Sequence, residues 1–145
     1  VTFLKDPLSW IRMIAKTKCH YTNAPNFAFG LVLRKLKVAK PSVRQHIQEL
    51  DLSNVLCFGS AAEPINQPVM AEFCAMFEKN GVSPKDYIFG YGLAENTVVT
   101  SIGGGAKYRP SPAVQVDKAA LEQGQVVLLG EHRTMLVIPP ADLVE

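Results

Sequence analysis

Two hydrophobic rhythms alternate along the chain. Leu8, Ile11, Ile14 and Ala15 recur at helical spacing up to about Lys18, with Asp6 as the expected N-cap and Pro7 as the first helical residue. The segment CHYT, residues 19–22, then has the length of a strand, and NAP at 23–25 breaks it. A second helix is expected from Pro25 to about Leu36, with Phe27, Leu31 and Leu33 facing inward. Pro41 opens a third helix, PSVRQHIQEL. SNVLCFG at 53–59 reads as a buried strand and SAAEP as the loop after it. NQPVMAEFCAMFEKNG predicts the clearest helix, with Asn66 as cap, Pro68 in the first turn and Gly81 just beyond the end. Its expected inner face is Val69, Phe73, Met76 and Phe77. DYIFGYG is the next strand, and the triplet Gly103–Gly105 reads as a flexible turn.

Strands that alternate with helices imply an α/β fold, with a mostly parallel sheet flanked by helices. Residues 1–105 are expected to form this subdomain. From 106 to 145 the character changes, and a β-rich tail is expected that belongs to the same fragment. There, AKYRPSP is a turn-rich linker, and AVQVD, QVVLLG and TMLVIPP are strand candidates. DKAALEQG is a short helix, with Asp117 as N-cap and Gly124 as stop. No repeat is visible.

Composition narrows the class. The 145 residues suffice for one domain of ordinary size, and a hydrophobic content of 48% supports a core. A net charge of +2 is too small to imply nucleic acid, and the basic run Arg34–Lys37, with Lys40 and Arg44, reads as a solvated helix face. No apolar run reaches the roughly 20 residues of a membrane span. The N-terminal segment has none of the parts of a signal peptide, and the chain begins without Met, as a fragment or a processed protein would. Cys19, Cys57 and Cys74 fit no zinc spacing; free, buried, reduced thiols in a cytoplasmic protein are expected.

Chemistry is sought at strand ends, because ligands of open parallel sheets bind beyond the carboxyl ends of the strands. Three loops qualify. TNAPNFAFG offers Asn26, Phe27 and Phe29, which read either as a cap with core rings or as the wall of an apolar ligand tunnel. GSAAEP offers Ser60, Ala61 and Ala62, small enough for backbone to approach a flat ring, and then Glu63; it is equally a tight connection with a solvated carboxylate. GYGLAENT places Tyr91 between Gly90 and Gly92, followed by Glu95. Tyr91 could stack on a purine and Glu95 could bind Mg2+; alternatively Tyr91 packs in the core and Glu95 caps the next element. No G-x-G-x-x-G or Walker pattern occurs, Ser60 lacks a nucleophile elbow, and His20, His46 and His132 have no triad-like or zinc-like neighbours.

In this order and spacing the three loops resemble those of the adenylate-forming superfamily, and within it the fatty acyl-AMP ligases. Asn23–Phe29 is similar to G-G-P-N-F-A-Y, Ser60–Pro64 to N-G-A-E-P, and Gly90–Thr97 to C-Y-G-L-A-E-A-T. FLKDPLSWI and LDLSNV look like the flanking text, and VQVDKAALEQGQV resembles an insertion of these ligases. The likeness runs from residue 1 to about 127 and stops before LLGEHRTMLVIPPADLVE.

The resemblance implies a central fragment of the large N-terminal domain. It implies ATP and Mg2+ as cofactors, a fatty acid as substrate, and an acyl carrier protein or a carrier domain of a polyketide synthase as acceptor. By motif position Tyr91 would stack on adenine, Ser60, Ala61, Ala62 and Glu63 would line the adenine side, and Gly92, Leu93 and Ala94 would border the nucleotide. Glu95 would hold Mg2+, and Asn26, Phe27 and Phe29 would border the acyl tunnel. The phosphate loop, the ribose-binding Asp and the catalytic Lys domain of these ligases have no counterpart in the 145 residues. No complete catalytic set is therefore expected, and the remainder of the ligase becomes an implied partner. A non-catalytic module that kept this scaffold for protein interaction is the alternative.

Overall fold

The computed structural model describes residues 2–104 and 115–129. The chain divides into two compact units, Val1–Ser111 and Pro112–Glu145. The first is an α/β unit with elements in the order α1 (Thr2–Lys5), α2 (Leu8–Thr17), β1 (Tyr21–Asn23), α3 (Asn26–Lys37), α4 (Pro41–Gln48), β2 (Cys57–Ser60), α5 (Gln67–Phe77), β3 (Tyr87–Tyr91) and β4 (Ser101–Gly104). The sheet order is β1-β2-β3-β4. The first three strands are parallel, with Thr22 opposite Phe58 and Phe58 opposite Tyr87; β4 returns antiparallel to β3, with Gly90 opposite Ile102.

Alternation along the strands gives the sheet two unlike faces. Thr22, Phe58, Tyr87 and Phe89 share one face by register, and the helices bring their aromatic rings to it. Phe29 from α3 meets Trp10 of α2 at 5.2 Å and Phe73 of α5 at 5.0 Å, both edge-on, and Phe73 lies 4.6 Å from Phe77. Burying each such ring contributes about 1.5–3 kcal/mol, and edge-on pairing adds about 0.5–1.5 kcal/mol. Trp10 donates its indole N–H to Thr22 Oγ1 at 2.9 Å, which ties α2 to β1 without leaving a buried donor unpaired. On the opposite face Tyr21 and Ile102 are exposed.

Several expectations change. Asp6 is not a side-chain cap: Pro7 stands at the cap position of α2, and the Asp6 carboxylate pairs with Arg12 instead. A short helix, α1, precedes it without a periodic signal. The inner face of α3 is Ala28, Phe29, Val32, Leu33 and Leu36; Phe27 is exposed and Leu31 half-buried, because the helix turns its 29/32/33/36 stripe to the sheet. Strand β2 starts only at Cys57, and residues 53–54 form a turn before it. Gly103 and Gly104 are not a free turn but part of β4. Gly104 has φ 91, and a Cβ there would come within 2.4 Å of the Tyr87 carbonyl oxygen, so the strand closes on β3 only with glycine. The Asn66 cap of α5 accepts from the Val69 N–H at 3.2 Å as expected, while the buried face is Met70, Phe73, Cys74 and Phe77.

In the second unit, α6 (Lys118–Glu122) starts at Asp117, whose side chain accepts from the Ala120 N–H at 2.7 Å, and the chain leaves it through Gly124 at φ 76. Val116 and Leu128 form an antiparallel bridge, so the AVQVD and QVVLLG segments meet there. AKYRPSP and TMLVIPP lie outside the described residues.

Candidate functional site

Because β1, β2 and β3 are adjacent and parallel, the loops that follow them leave the sheet at one rim. All three loops therefore start at the same end of the sheet, which spacing along the chain alone could not establish, although Phe29 of the first loop's set lies in the core. Local conformation differs sharply there. Among the described residues the non-glycine positions with positive φ are Lys18, Ala62, Thr97 and Val98, and three of the four belong to the second and third loops. Such a conformation costs about 1–2 kcal/mol per residue, most for a β-branched side chain such as Val98.

The first loop begins with Asn23, whose amide oxygen lies where a Cβ on Gly59 would be, at 1.9 Å; Gly59 leaves room for it. Asn26 is 5% exposed, and its Oδ1 accepts from the Asn66 N–H at 3.0 Å. Phe27 is 49% exposed at the rim, whereas Phe29 is 0% exposed in the aromatic core. The two rings, both assigned above to an acyl border, thus occupy different environments. In the second loop Ser60 is the last residue of β2 and is 3% exposed, while Ala61 and Ala62 are exposed and Glu63 is half-buried. Glu63 Oε1 accepts from the Phe27 N–H at 2.5 Å. The buried Asn26 Nδ2 and Ser60 Oγ have no hydrogen-bond partner among the described residues.

The third loop joins β3 to β4. Tyr91 ends β3 and is 64% exposed, and its carbonyl accepts from the Thr100 N–H at 2.9 Å. Gly92 is required by contact: a Cβ there would sit 1.5 Å from the Val98 carbonyl oxygen. Leu93 precedes a single 3-10 turn, Ala94–Asn96, so Glu95 stands exposed on that turn. Asn96 Nδ2 donates to the Val99 carbonyl and to Thr100 Oγ1, both at 3.3 Å, which fixes the loop from inside. Among the described residues no three His, Cys, Asp or Glu side chains gather to form a self-sufficient metal cage. A single exposed carboxylate suits a Mg2+ ion that takes its other ligands from phosphates and water.

No family model matches the chain. Individual proteins do. A medium-chain fatty-acid acyl-carrier-protein ligase of Teredinibacter turnerae is 28% identical over 91% of this chain, and a putative fatty-acid–CoA ligase of Mycobacterium tuberculosis is 32% identical over 86%. The crystal structure of a fatty acyl-adenylate ligase from Legionella pneumophila, in complex with acyl adenylate and pyrophosphate, superposes over 89% of the chain with a TM-score of 0.73 at 26% identity.

The homologues are fatty acyl-AMP and fatty-acid ligases.

The chain matches one segment of them: it spans 19% and 20% of the two curated relatives and 21% of the Legionella protein. The adenylation domain of a keto acid-selecting nonribosomal peptide synthetase module, at 19% identity and a TM-score of 0.71, shares the fold. The α/β architecture with its mostly parallel sheet is therefore that of adenylate-forming enzymes. The two bonds that tie the first loop to the second, Glu63 to Phe27 and Asn26 to Asn66, join residues 36 and 40 positions apart and have no local sequence signal.

Proposed function

We propose that this chain is a segment of an ATP-dependent ligase that activates a fatty acid as its acyl-adenylate and passes the acyl group to a carrier-protein thiol. The observation that carries this reading is the meeting of three motif-bearing loops at the carboxyl ends of three adjacent parallel strands. In the reaction a fatty carboxylate oxygen attacks the α-phosphorus of ATP, the bond to the β-phosphate oxygen breaks, and pyrophosphate leaves. The carrier thiolate then attacks the acyl carbon and AMP leaves. The protein's part is positioning in line and neutralising phosphate charge.

Tyr91, exposed at the rim, offers its ring face to adenine. Ser60, Ala61 and Ala62 form the adenine side, with Glu63 next to them in the same loop but turned to the Phe27 N–H, and Gly92, Leu93 and Ala94 border the nucleotide. Glu95 is the proposed Mg2+ ligand, and the metal would screen phosphate charge when bound. Asn26 and Phe27 form the acyl border, with Phe29 behind them in the core. The residues from 106 onward are assigned to the ligase-like insertion and tail. Matching only about a fifth of its relatives, the chain is proposed to depend on the remainder of a ligase for the phosphate loop, the ribose contact and the catalytic Lys. No helix among the described residues is long and apolar enough to cross a membrane, and three free cysteines favour the cytoplasm as the compartment.

The direct test is ATP–pyrophosphate exchange with a fatty acid. The isolated chain is expected to give none, and robust exchange would refute the fragment reading. In a complete ligase that carries this segment, Glu95→Gln is expected to abolish Mg2+-dependent adenylate formation; full activity would remove Glu95 from its role. Tyr91→Ala should raise the KM for ATP about 5- to 150-fold, the loss of one aromatic stack of about 1–3 kcal/mol.

A further inference from the structure

We propose that Glu63 is a positioning residue that caps helix α3 from the neighbouring loop, and so locks the acyl-side loop to the adenine-side loop instead of meeting the nucleotide. The functional meaning of the two sides rests on the ligase reading above; the cap itself does not. Helix α3 lacks its own cap: Pro25 stands at the cap position with no side-chain acceptor, and the first turn contains no acidic residue. The first N–H groups of a helix have no partner within it and carry partial positive charge. Glu63 Oε1 receives one of them, the Phe27 N–H, at 2.5 Å. A carboxylate only accepts hydrogen bonds, so a backbone N–H at a helix start is a well-matched partner.

The return bond runs the other way. Asn26, the first residue of α3, accepts from the N–H of Asn66, and Asn66 itself caps α5 through Val69. The start of α3 is thus held by the second loop, and the start of α5 is held by α3. Ala62, in the left-handed region at φ 71, turns the chain immediately before Glu63. Such strain persists where surrounding contacts over-determine it. With Glu63 already at its positive end, α3 is not a free site for a phosphate.

Amide hydrogen exchange by NMR on the 145-residue chain tests the cap. Glu63→Ala should speed exchange at Phe27 about tenfold or more, with core amides such as Phe73 unchanged as the control for folding. Glu63→Gln keeps a carbonyl acceptor and should retain most of the protection. Unchanged exchange at Phe27 in Glu63→Ala overturns the cap. In a complete ligase carrying the segment, Glu63→Ala should raise the KM for fatty acid several-fold with the KM for ATP within about twofold, and Glu63→Gln should restore it. A rise in the KM for ATP alone overturns the positioning role. If such a ligase forms no acyl-adenylate even with Glu63 intact, the ligase reading fails while the exchange result still decides the cap.

Discussion

Tyr87 and Tyr91 stand at opposite ends of one strand, and the sheet treats them in opposite ways. Tyr87 is 4% exposed, wedged against Phe29 and Phe58 and stacked on Phe89. Burial pushes its phenol well above the ordinary range, with Cys74 and Asp86 acting in the same direction, and its hydroxyl has no partner among the described residues. Tyr91, the last residue of the strand, is largely exposed. Phe29 and Phe27 repeat the contrast two residues apart on α3. The core end of the unit is a closed set of rings, whereas the rim is short loops, left-handed turns and exposed rings held by a few long-range hydrogen bonds. Stability is concentrated in the first region and recognition chemistry in the second, since a ring that faces water is free to meet a ligand and a ring in the core is not.

The sharpest way to break this division is Phe29→Ala. It removes the ring that meets Trp10, Phe58, Phe73 and Tyr87 and should cost about 3–5 kcal/mol in urea unfolding. Phe27→Ala at the rim should change stability by no more than about 0.5 kcal/mol. Equal losses at the two positions would erase the distinction.

Gly92→Ala probes the rim's own constraint. Its Cβ would collide with the Val98 carbonyl, and the cost should be about 1–3 kcal/mol. Gly90→Ala, whose nearest neighbour would be the Ala61 methyl at 3.7 Å, should cost less. The comparison needs only the two denaturation midpoints.

Tyr87→Phe is a smaller effect with a distinctive pH signature. It removes a buried hydroxyl that has no described partner, so stability at neutral pH should hold or rise by up to about 1 kcal/mol. The folded phenol titrates above the unfolded one, whose pKa is about 10. Tyr87 therefore contributes its full share below that pH and loses it as the pH rises further. Unfolding measured across the alkaline range should show this loss in the parent and a shallower one in Tyr87→Phe. Identical alkaline profiles would mean that the Tyr87 ring is not held as described. Tyr91→Phe is the smallest change, within about 0.5 kcal/mol.

Much of this was legible in the residues. Alternating periods in Leu8–Ala15, Phe73–Phe77 and Tyr87–Phe89 were enough for the α/β class, and the capping residues Asn66 and Asp117 stand where their local chemistry puts them. Motif order placed candidate chemistry on three loops. Local patterns failed where the deciding contact is remote. Asp6 looks like a cap, but Arg12 takes its carboxylate. Gly103 and Gly104 look like a turn, yet pairing with Ile88 and Phe89 makes them strand.

By itself, then, the sequence determined the types of the longer helices and of β1, β2 and β3, the hydrophobic inventory and the motif order, because propensity, capping and periodicity act over a few neighbouring residues. Only the tertiary structure decided that β1, β2 and β3 lie side by side, that Phe29 is core while Phe27 is rim, and that Glu63 reaches the start of α3. Those outcomes depend on strand pairing and on bonds between residues some 36 to 40 positions apart, and no local window contains both partners.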